Sequence, residues 1–226
     1  MTITIYHAEA RRSERIAWLL EELGLAYELV FKPGDVIGSF EPLRATGHGF
    51  PMAPVVRDGD DLLIESAAIM ETLLNRHGEG RLRPAIDAPE HAAYLEWLHF
   101  AESTAWPRIQ QEIINRALPP AKTPEAAARR FGGSARVLRY VEARLAGRPY
   151  LAGEAFTAAD IQNHFILRLG LSAAINRRGV PSMLLQPDAE CFEAYPAITD
   201  YMARLGDRPA FQRMMAKTMP QGWPAI

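Results

Sequence analysis

Glu65 and Ser66 are the residues whose types and position most directly suggest chemistry. They stand where a predicted strand ends and a predicted helix begins. The first N–H groups of a helix have no intrahelical partner, and the helix dipole places partial positive charge at that end. A helix start with a serine hydroxyl beside it can therefore bind an anion. The same pair also suits a simple helix cap, because serine is favoured there, and both interpretations remain open at this point.

The elements around this pair alternate between strand and helix. β-Branched and aromatic runs predict strands, apolar residues at helical spacing predict helices, and Gly24 ends the first helix. A β-α-β unit places two parallel strands side by side through a right-handed crossover, and the Asp-Gly-Asp sequence at 58–60 predicts a hairpin turn. Residues 1–78 therefore follow the order β-α-β-α-β-β-α. The predicted strands lie at 2–6, 27–31 and 61–64 and from Pro54 onward, and the predicted helices lie around 16–23, 40–45 and 65–77.

The rest of the chain is predicted to be helical. A polar stretch with glycine and proline at 79–88 predicts a linker, and strand signals mostly stop after it. Thr157, followed three residues later by Asp160, is an aspartate version of the capping box, with Phe156 placed to pack against the helix. We interpret these three residues as structural. Residues 89–226 are predicted to form an all-α domain, with helices at 89–117 (kinked at Pro107), 124–146, 157–175, 190–205 and 208–217 and a loop at 176–189.

The composition excludes several classes of protein. The 226 residues carry a formal net charge of −2 with both signs well mixed, so the sequence lacks the basic patch that a nucleic-acid surface needs. The single cysteine, Cys191, cannot form an intramolecular disulfide. The first residues do not resemble a signal peptide, and no segment is apolar enough to span a bilayer, so we expect a cytoplasmic protein with no membrane partner. The sequence has no metal-ligand spacing and no glycine-rich phosphate loop.

Three stretches together resemble bacterial cytosolic glutathione S-transferases in sequence, spacing and order. They are 13–28 (SERIAWLLEELGLAYE), 53–69 (APVVRDGDDLLIESAAI) and 156–161 (FTAADI). The resemblance extends from residue 1 to about residue 215. It implies an α/β plus all-α architecture, with a thioredoxin-like N-terminal domain followed by a helical-bundle C-terminal domain. It also implies glutathione as co-substrate without a metal, and a homodimer that pairs the small domain of one chain with the helical domain of the other.

The resemblance implies a glutathione site at the helix start described above. Ser66 would bind the α-carboxylate of the γ-glutamyl end through its hydroxyl and N–H, and Glu65 would accept from the α-ammonium. Ala53 would offer its backbone to the cysteinyl part, as an added strand edge does. The family has a cis bond before the residue that corresponds to Pro54, although a trans proline at a strand start is also tolerated.

Two positions depart from the family pattern. Met52 stands where many members have a lysine that reaches the glycine carboxylate, so this charge would have to come from Arg11, Arg12, Arg44 or His48. Related bacterial sequences have Ser-Arg-Ser-x-Arg after the first strand, whereas residues 11–15 here are Arg-Arg-Ser-Glu-Arg. Arg11 thus occupies the position of the usual catalytic serine.

Three residues are candidates for stabilising the glutathione thiolate, which is the reactive form of the thiol. Arg11 could do so by charge, Ser13 by a hydrogen bond from the helix start, and Tyr6 by reaching the site from the end of the first strand. Each also has a structural interpretation: Ser13 as an N-cap, Tyr6 as a core aromatic, and Arg11 with Arg12 as solvated, carboxylate-binding or dimer-contact residues.

The resemblance also implies a pocket for the electrophile between the domains, with candidate lining residues on the first long helix of the second domain. These are His99, Glu102, Ser103 and Trp106. The leading hypothesis is conjugation of glutathione to a small hydrophobic electrophile. The alternatives are a glutathione-dependent peroxidase, lyase or isomerase at the same site, or a non-catalytic glutathione- or ligand-binding module, which the arginine at position 11 favours.

Overall fold

The structure is a computed structural model that describes residues 2–117, 133–175 and 193–222. Cys191, the predicted loop at 176–189, and the first parts of the predicted helices at 124–146 and 190–205 lie outside the described residues. The chain divides into two compact units. One contains the residues up to Arg83 together with the segment from Leu205 onward, and the other runs from Pro84 to Arg204.

The first unit is built on a four-stranded sheet in the order β2-β1-β3-β4. Strand β1 pairs in parallel with β2 and antiparallel with β3, so that Ile5 stands between Leu29 and Val56. Ile3 and Ile5 are both buried, as the alternation of side chains along a strand requires. The strands are β1 (Ile3–Tyr6), β2 (Tyr27–Val30), β3 (Val55–Asp58) and β4 (Asp61–Leu63), and the helices among them are α1 (Ser13–Leu23), α2 (Phe40–Ala45) and α3 (Ser66–His77). The predicted thioredoxin-like order is confirmed.

Helix α1 is buried on almost every side, with Glu22 its one residue that is not buried. The sheet, α3 and a helix from the end of the chain all pack against it. Gly24 ends the helix with a left-handed φ of 67°, which glycine adopts without steric cost. This part of the first unit follows the sequence prediction.

The helix from the end of the chain is the main difference from the predicted organisation. The sequence predicts a helix at 208–217 as part of the helical domain at 89–226, whereas the observed helix at 209–218 packs with the first unit. The reason is a set of contacts with α1 that cannot be predicted from the local sequence. Arg208 pairs with Glu22 at 2.6 Å, and Arg213 pairs with Glu21 at 2.8 Å. The ring of Phe211 packs edge-on against Trp18.

The second unit is helical in all its described elements. Its first long helix is interrupted between Phe100 and Trp106 by a wide turn in which the N–H of Trp106 bonds to the carbonyl of Ala101. Pro107 follows at once, and its ring cannot pack against the carbonyl four residues earlier. The irregularity thus lies just before Pro107, the residue at which the sequence predicts a kink. The helices are α4 (His91–Phe100), α5 (Trp106–Ala117), α6 (Gly133–Leu145), α7 (Ala158–Ile175) and α8 (Pro196–Gly206), and α9 (Pro209–Thr218) is the terminal helix of the first unit.

Asp160 anchors the start of α7, as the capping pattern predicts. Its carboxylate accepts from the N–H and the hydroxyl of Thr157, at 2.8 and 3.1 Å. It also accepts from the N–H of Leu151 and the hydroxyl of Tyr201. Phe156 lies edge-on to the ring of Tyr150. Asp160 is fully buried, so its four donors make it a structural centre of this unit.

Candidate functional site

The predicted anion site lies at the first residue of α3. Glu65, at the N-cap, has a φ of 69° and a ψ of 109°, a conformation that a non-glycine residue adopts rarely and at a cost in strain. Its side chain is exposed. Ser66 is buried, with 3% of its surface exposed. The strained Glu65 thus stands beside a buried serine at a helix start, and its side chain makes no capping bond.

Arg15 sets the polarity of this site. Its Nη1 lies 3.3 Å from Oγ of Ser66, and its side chain is 1% exposed. A guanidinium can only donate, so Ser66 accepts from Arg15 and keeps its own O–H for another acceptor. The result is a serine hydroxyl, a buried positive charge and the dipole of α3 at one point. Together they favour a carboxylate.

The stretch before β3 lies in the same unit. The bond between Ala53 and Pro54 is cis, as the family resemblance implies. Ala53 is half-buried, whereas Met52 is 55% exposed and offers no charge. Of the residues considered as substitutes for the missing lysine, Arg44 is exposed, and Nδ1 of His48 accepts from the N–H of Phe50 at 3.0 Å.

Ser13 is placed differently from the prediction. Its hydroxyl lies 2.7 Å from Nδ1 of His7, and Nε2 of His7 lies 2.9 Å from the carbonyl oxygen of Thr218. Because a carbonyl only accepts, His7 carries its proton on Nε2, and Ser13 donates its own proton to Nδ1. Burial lowers the pKa of His7 from 6.5 to about 4, against the opposing effect of the bond with Thr218.

This geometry gives Ser13 a structural role. The hydroxyl is fully buried and lies within hydrogen-bond distance of Nδ1 of His7, which competes with the predicted donation to a thiolate. Ser13 is not a helix cap, because Arg12 holds the N-cap position and α1 has no side-chain cap. The physical reason is the fold of the preceding loop, which brings the N–H of Ala8 to 3.3 Å from the same hydroxyl oxygen.

Arg11 is the cationic candidate that remains at the start of α1. It is half-buried, and its Nη1 donates to the carbonyl of Ala10 at 3.0 Å. Ala10 has a φ of 54°, so this short loop is itself strained. Burial lowers the pKa of Arg11, with Glu14 opposing and Arg12 adding to the effect. The guanidinium keeps its charge, and partial desolvation strengthens its attraction for an anion.

The positions of Tyr6 and Arg12 add nothing to the interpretations given from the sequence. Tyr6 lies on the face of β1 opposite to Ile5, because side chains alternate along a strand, and it is half-buried. Arg12 is half-buried at the N-cap of α1. These positions are compatible with the structural interpretations given above.

The predicted electrophile residues all lie in the second unit. His99 is on α4 and is exposed, Glu102 and Ser103 belong to the wide turn, and Trp106 begins α5. The hydroxyl of Ser103 donates to the carbonyl of His99 at 2.8 Å. The four residues thus follow one another along less than three helical turns.

Sequence reasoning missed Arg15 and His7. Arg15 had one usable signal: it stands four residues before Leu19 and therefore on the buried face of α1, where a charge needs a partner. For His7 there was no signal, since its partner Thr218 is 211 residues away. Within the described ranges no group of three or more His, Cys, Asp and Glu side chains could hold a metal ion, and none of the helices described there has the length and apolar character needed to cross a membrane.

The fold is that of a thioredoxin-like unit with a buried serine and a buried arginine in contact at the start of α3, together with a helical unit. Residues 5–81 match the sequence pattern of the glutathione S-transferase N-terminal domain, and residues 105–209 match that of the C-terminal domain. The chain belongs to the glutathione S-transferase family.

Individual relatives agree with this assignment. The chain is 31% identical over 225 residues to glutathione S-transferase 3 of Schizosaccharomyces pombe, covering 92% of this chain and 84% of that protein. It is 32% identical over 210 residues to glutathione S-transferase 3 of Zea mays, covering 89% and 87%. The crystal structure of a glutathione S-transferase from Actinobacillus pleuropneumoniae matches with a TM-score of 0.74 at 28% identity, covering 99% of this chain and 94% of that one.

Proposed function

We propose that this chain transfers glutathione to a small apolar electrophile. In this reaction the glutathione sulfur forms a bond to an electrophilic carbon, and the leaving group departs with the bonding electron pair. The observation that carries the proposal is the contact between Arg15 and Ser66 at the start of α3, because it places a buried guanidinium beside a buried hydroxyl whose own proton the contact does not use.

Binding would use the first unit. The γ-glutamyl carboxylate would accept from the hydroxyl and N–H of Ser66 beside the guanidinium of Arg15. The exposed carboxylate of Glu65 would accept from the α-ammonium, and the backbone of Ala53 would pair with the cysteinyl part. Met52 cannot neutralise the glycyl carboxylate, so we expect that end to be held more weakly, or by Arg12 or another arginine.

Arg11 is our choice for the group that stabilises the thiolate. A free thiol is mostly protonated at neutral pH, and a nearby positive charge lowers its pKa and raises the reactive fraction. The burial of Ser13 and its contact with Nδ1 of His7 support this choice, since both give that hydroxyl a structural role. His99, Glu102, Ser103 and Trp106 remain the predicted lining residues for the electrophile, and the homodimer and the cytoplasmic location also remain predictions.

The first test separates binding from turnover. Glutathione is titrated by calorimetry into the wild type, into Ser66→Ala, and into Ser172→Ala as a matched control at a buried serine of the second unit. We expect Ser66→Ala alone to weaken binding by about tenfold, the loss of one hydrogen bond to a charged group. A glutathione analogue without the α-carboxylate should bind the wild type and Ser66→Ala equally. Equal binding of glutathione itself by the two proteins would contradict the assigned site.

The second test measures conjugation of glutathione to 1-chloro-2,4-dinitrobenzene. Arg11→Gln should lower kcat, and should move the pH profile to higher pH because the thiol loses a stabilising charge. Arg148→Gln serves as a control at an exposed arginine and should leave both unchanged. Saturable binding by the wild type without turnover of this or other electrophile classes would overturn the transferase proposal and support the ligand-binding module.

A further inference from the structure

Glu9 places a buried carboxylate in the loop between β1 and α1. The residue is only 2% exposed. Its Oε2 accepts from the N–H of Gly34 at 3.0 Å, and its Oε1 has no hydrogen-bond partner among the described residues. Burying a carboxylate is costly unless hydrogen bonds replace the lost water, and an apolar side chain would fill the same space without that cost. The bond with Gly34 is therefore the feature of Glu9 that calls for a role.

Gly34 belongs to a loop, residues 32–39, that is closed by its own hydrogen bonds. The hydroxyl of Ser39 accepts from the N–H of Lys32 at 2.9 Å and donates to the carbonyl of Asp35 at 2.8 Å. Ser39 is fully buried. Gly34 itself has a φ of 76°, a conformation that favours glycine. The N–H that the carboxylate binds is therefore held at a defined point of the first unit.

The backbone of the same loop after β1 orients the guanidinium of Arg11. Its Nη1 donates to the carbonyl of Ala10 at 3.0 Å and lies 3.5 Å from the carbonyl of Glu9. The φ of 54° at Ala10 is strained, and such a conformation persists only where the surrounding structure imposes it. The carboxylate of Glu9, bound to Gly34, imposes such a constraint one residue before the strain. A continuous set of contacts thus runs from Gly34 through Glu9 to the guanidinium.

We propose that Glu9 is a positioning residue for Arg11, with the loop at 32–39 as its anchor. The inference rests on the proposed function of Arg11, which is to stabilise the glutathione thiolate. The attraction between two charges falls as their separation grows, and a small misplacement of a reacting group lowers the rate although its chemistry is intact. Glu9 acts through the placement of the guanidinium and does not need to touch glutathione.

Two substitutions separate the hydrogen bond of Glu9 from its charge. Glu9→Asp keeps the charge but shortens the side chain, so its carboxylate no longer reaches the N–H of Gly34. Glu9→Gln removes the charge but keeps an oxygen that can accept from that N–H. The measurement is the thiol pKa of bound glutathione, followed by the ultraviolet absorbance of the thiolate as the pH is raised. Each protein is saturated with glutathione, free glutathione is subtracted, and no electrophile is present.

We expect Glu9→Asp to raise this pKa by about 1, the lower end of the effect of an adjacent opposite charge. Glu9→Gln should leave it at the wild-type value. If Glu9 acted only as a nearby negative charge, Glu9→Gln would lower the thiol pKa and Glu9→Asp would leave it unchanged, and that pattern would overturn the proposal. Ser39→Ala loosens the anchoring loop and should raise the pKa in the same direction, so it decides the matter if Glu9→Asp does not fold.

Glu142→Asp is the matched control, because the carboxylate of Glu142 accepts from the N–H groups of Ala197 and Ile198 in the second unit, at 2.8 and 2.9 Å. It should lower the urea midpoint of unfolding without moving the thiol pKa. The same result for Glu9→Asp would make Glu9 structural only and overturn this inference alone. A wild type that does not lower the thiol pKa of bound glutathione below that of free glutathione would overturn the function of Arg11, and this inference with it.

Discussion

The hydroxyl oxygen of Ser13 lies 2.7 Å from Nδ1 of His7, and both side chains are fully buried. The bond joins the loop after β1 to the first residue of α1. The sequence makes Ser13 a candidate catalytic donor. In the structure, this bond gives Ser13 a structural role. Because of this bond, substitutions of Ser13 and Ser66 should have different effects, which experiments can distinguish.

Ser13→Ala should destabilise the protein without removing activity. The change leaves Nδ1 of His7 buried without its donor, which costs about 1–3 kcal/mol. Urea unfolding measures the loss of stability, and the conjugation assay at a temperature where the variant is folded measures kcat. Ser66→Ala should show the opposite pattern, with weaker glutathione binding and a smaller change in unfolding free energy. A tenfold fall in kcat for Ser13→Ala at unchanged stability would restore it as a catalytic group.

Acidification should weaken the fold through His7. Burial lowers its pKa from 6.5 to about 4, so the unfolded chain binds the proton more readily between these two values. The contribution of neutral His7 to the free energy of unfolding is therefore fully present above pH 6.5 and is lost as the pH falls toward 4. In His7→Gln this contribution is absent, and the drop in unfolding free energy between pH 7 and pH 4.5 should be smaller by about 2 kcal/mol. Equal pH dependence in the two proteins would contradict the assignment.

Arg15 and Ser66 should act on glutathione as one unit. Arg15→Lys keeps a positive charge but loses the planar donor that reaches Oγ of Ser66, so we expect about a tenfold weaker affinity. Adding Ser66→Ala should cost less than the sum of the two single changes, with an interaction free energy of about 0.5–3 kcal/mol. Calorimetry on the four proteins of this cycle measures it. Strict additivity would mean that the two residues act on different parts of the ligand.

Asp160→Asn should lower stability and leave catalysis intact. The carboxylate accepts from Leu151, Thr157 and Tyr201, and an amide nitrogen in its place would face donors. We expect a loss of about 3 kcal/mol, measured by urea unfolding. Asp200→Asn, at an exposed position on α8, is the control and should unfold like the wild type. Equal urea midpoints of unfolding for Asp160→Asn and Asp200→Asn would contradict the stabilising role of Asp160.

The features that the sequence predicts well are those that depend on neighbours along the chain. Gly24 ends α1 because a left-handed residue is needed there, and Asp160 meets Thr157 because the two are three residues apart. The helix start at Ser66 follows from the change of hydrophobic pattern. Local chemistry of this kind determines most of the element order in the first unit.

The features that were missed depend on residues far apart in the chain. Ser66 meets Arg15 across 51 positions, and His7 meets Thr218 across 211. Nothing in the residues around His7 or Ser13 indicates which buried group will face them, since tertiary packing decides it. For the same reason, the sequence identifies the hydroxyl of Ser13 as a possible hydrogen-bond donor but does not identify the acceptor.

The terminal helix α9 has a consequence for how the protein is made. A ribosome releases the sheet and α1 long before α9 emerges, because Arg213 is translated 192 positions after its partner Glu21. The first unit therefore cannot be transferred to another protein by cutting the chain after residue 83. A chimaera that exchanges the first unit between relatives must carry the segment from Leu205 onward together with the residues up to Arg83, because both segments build that unit.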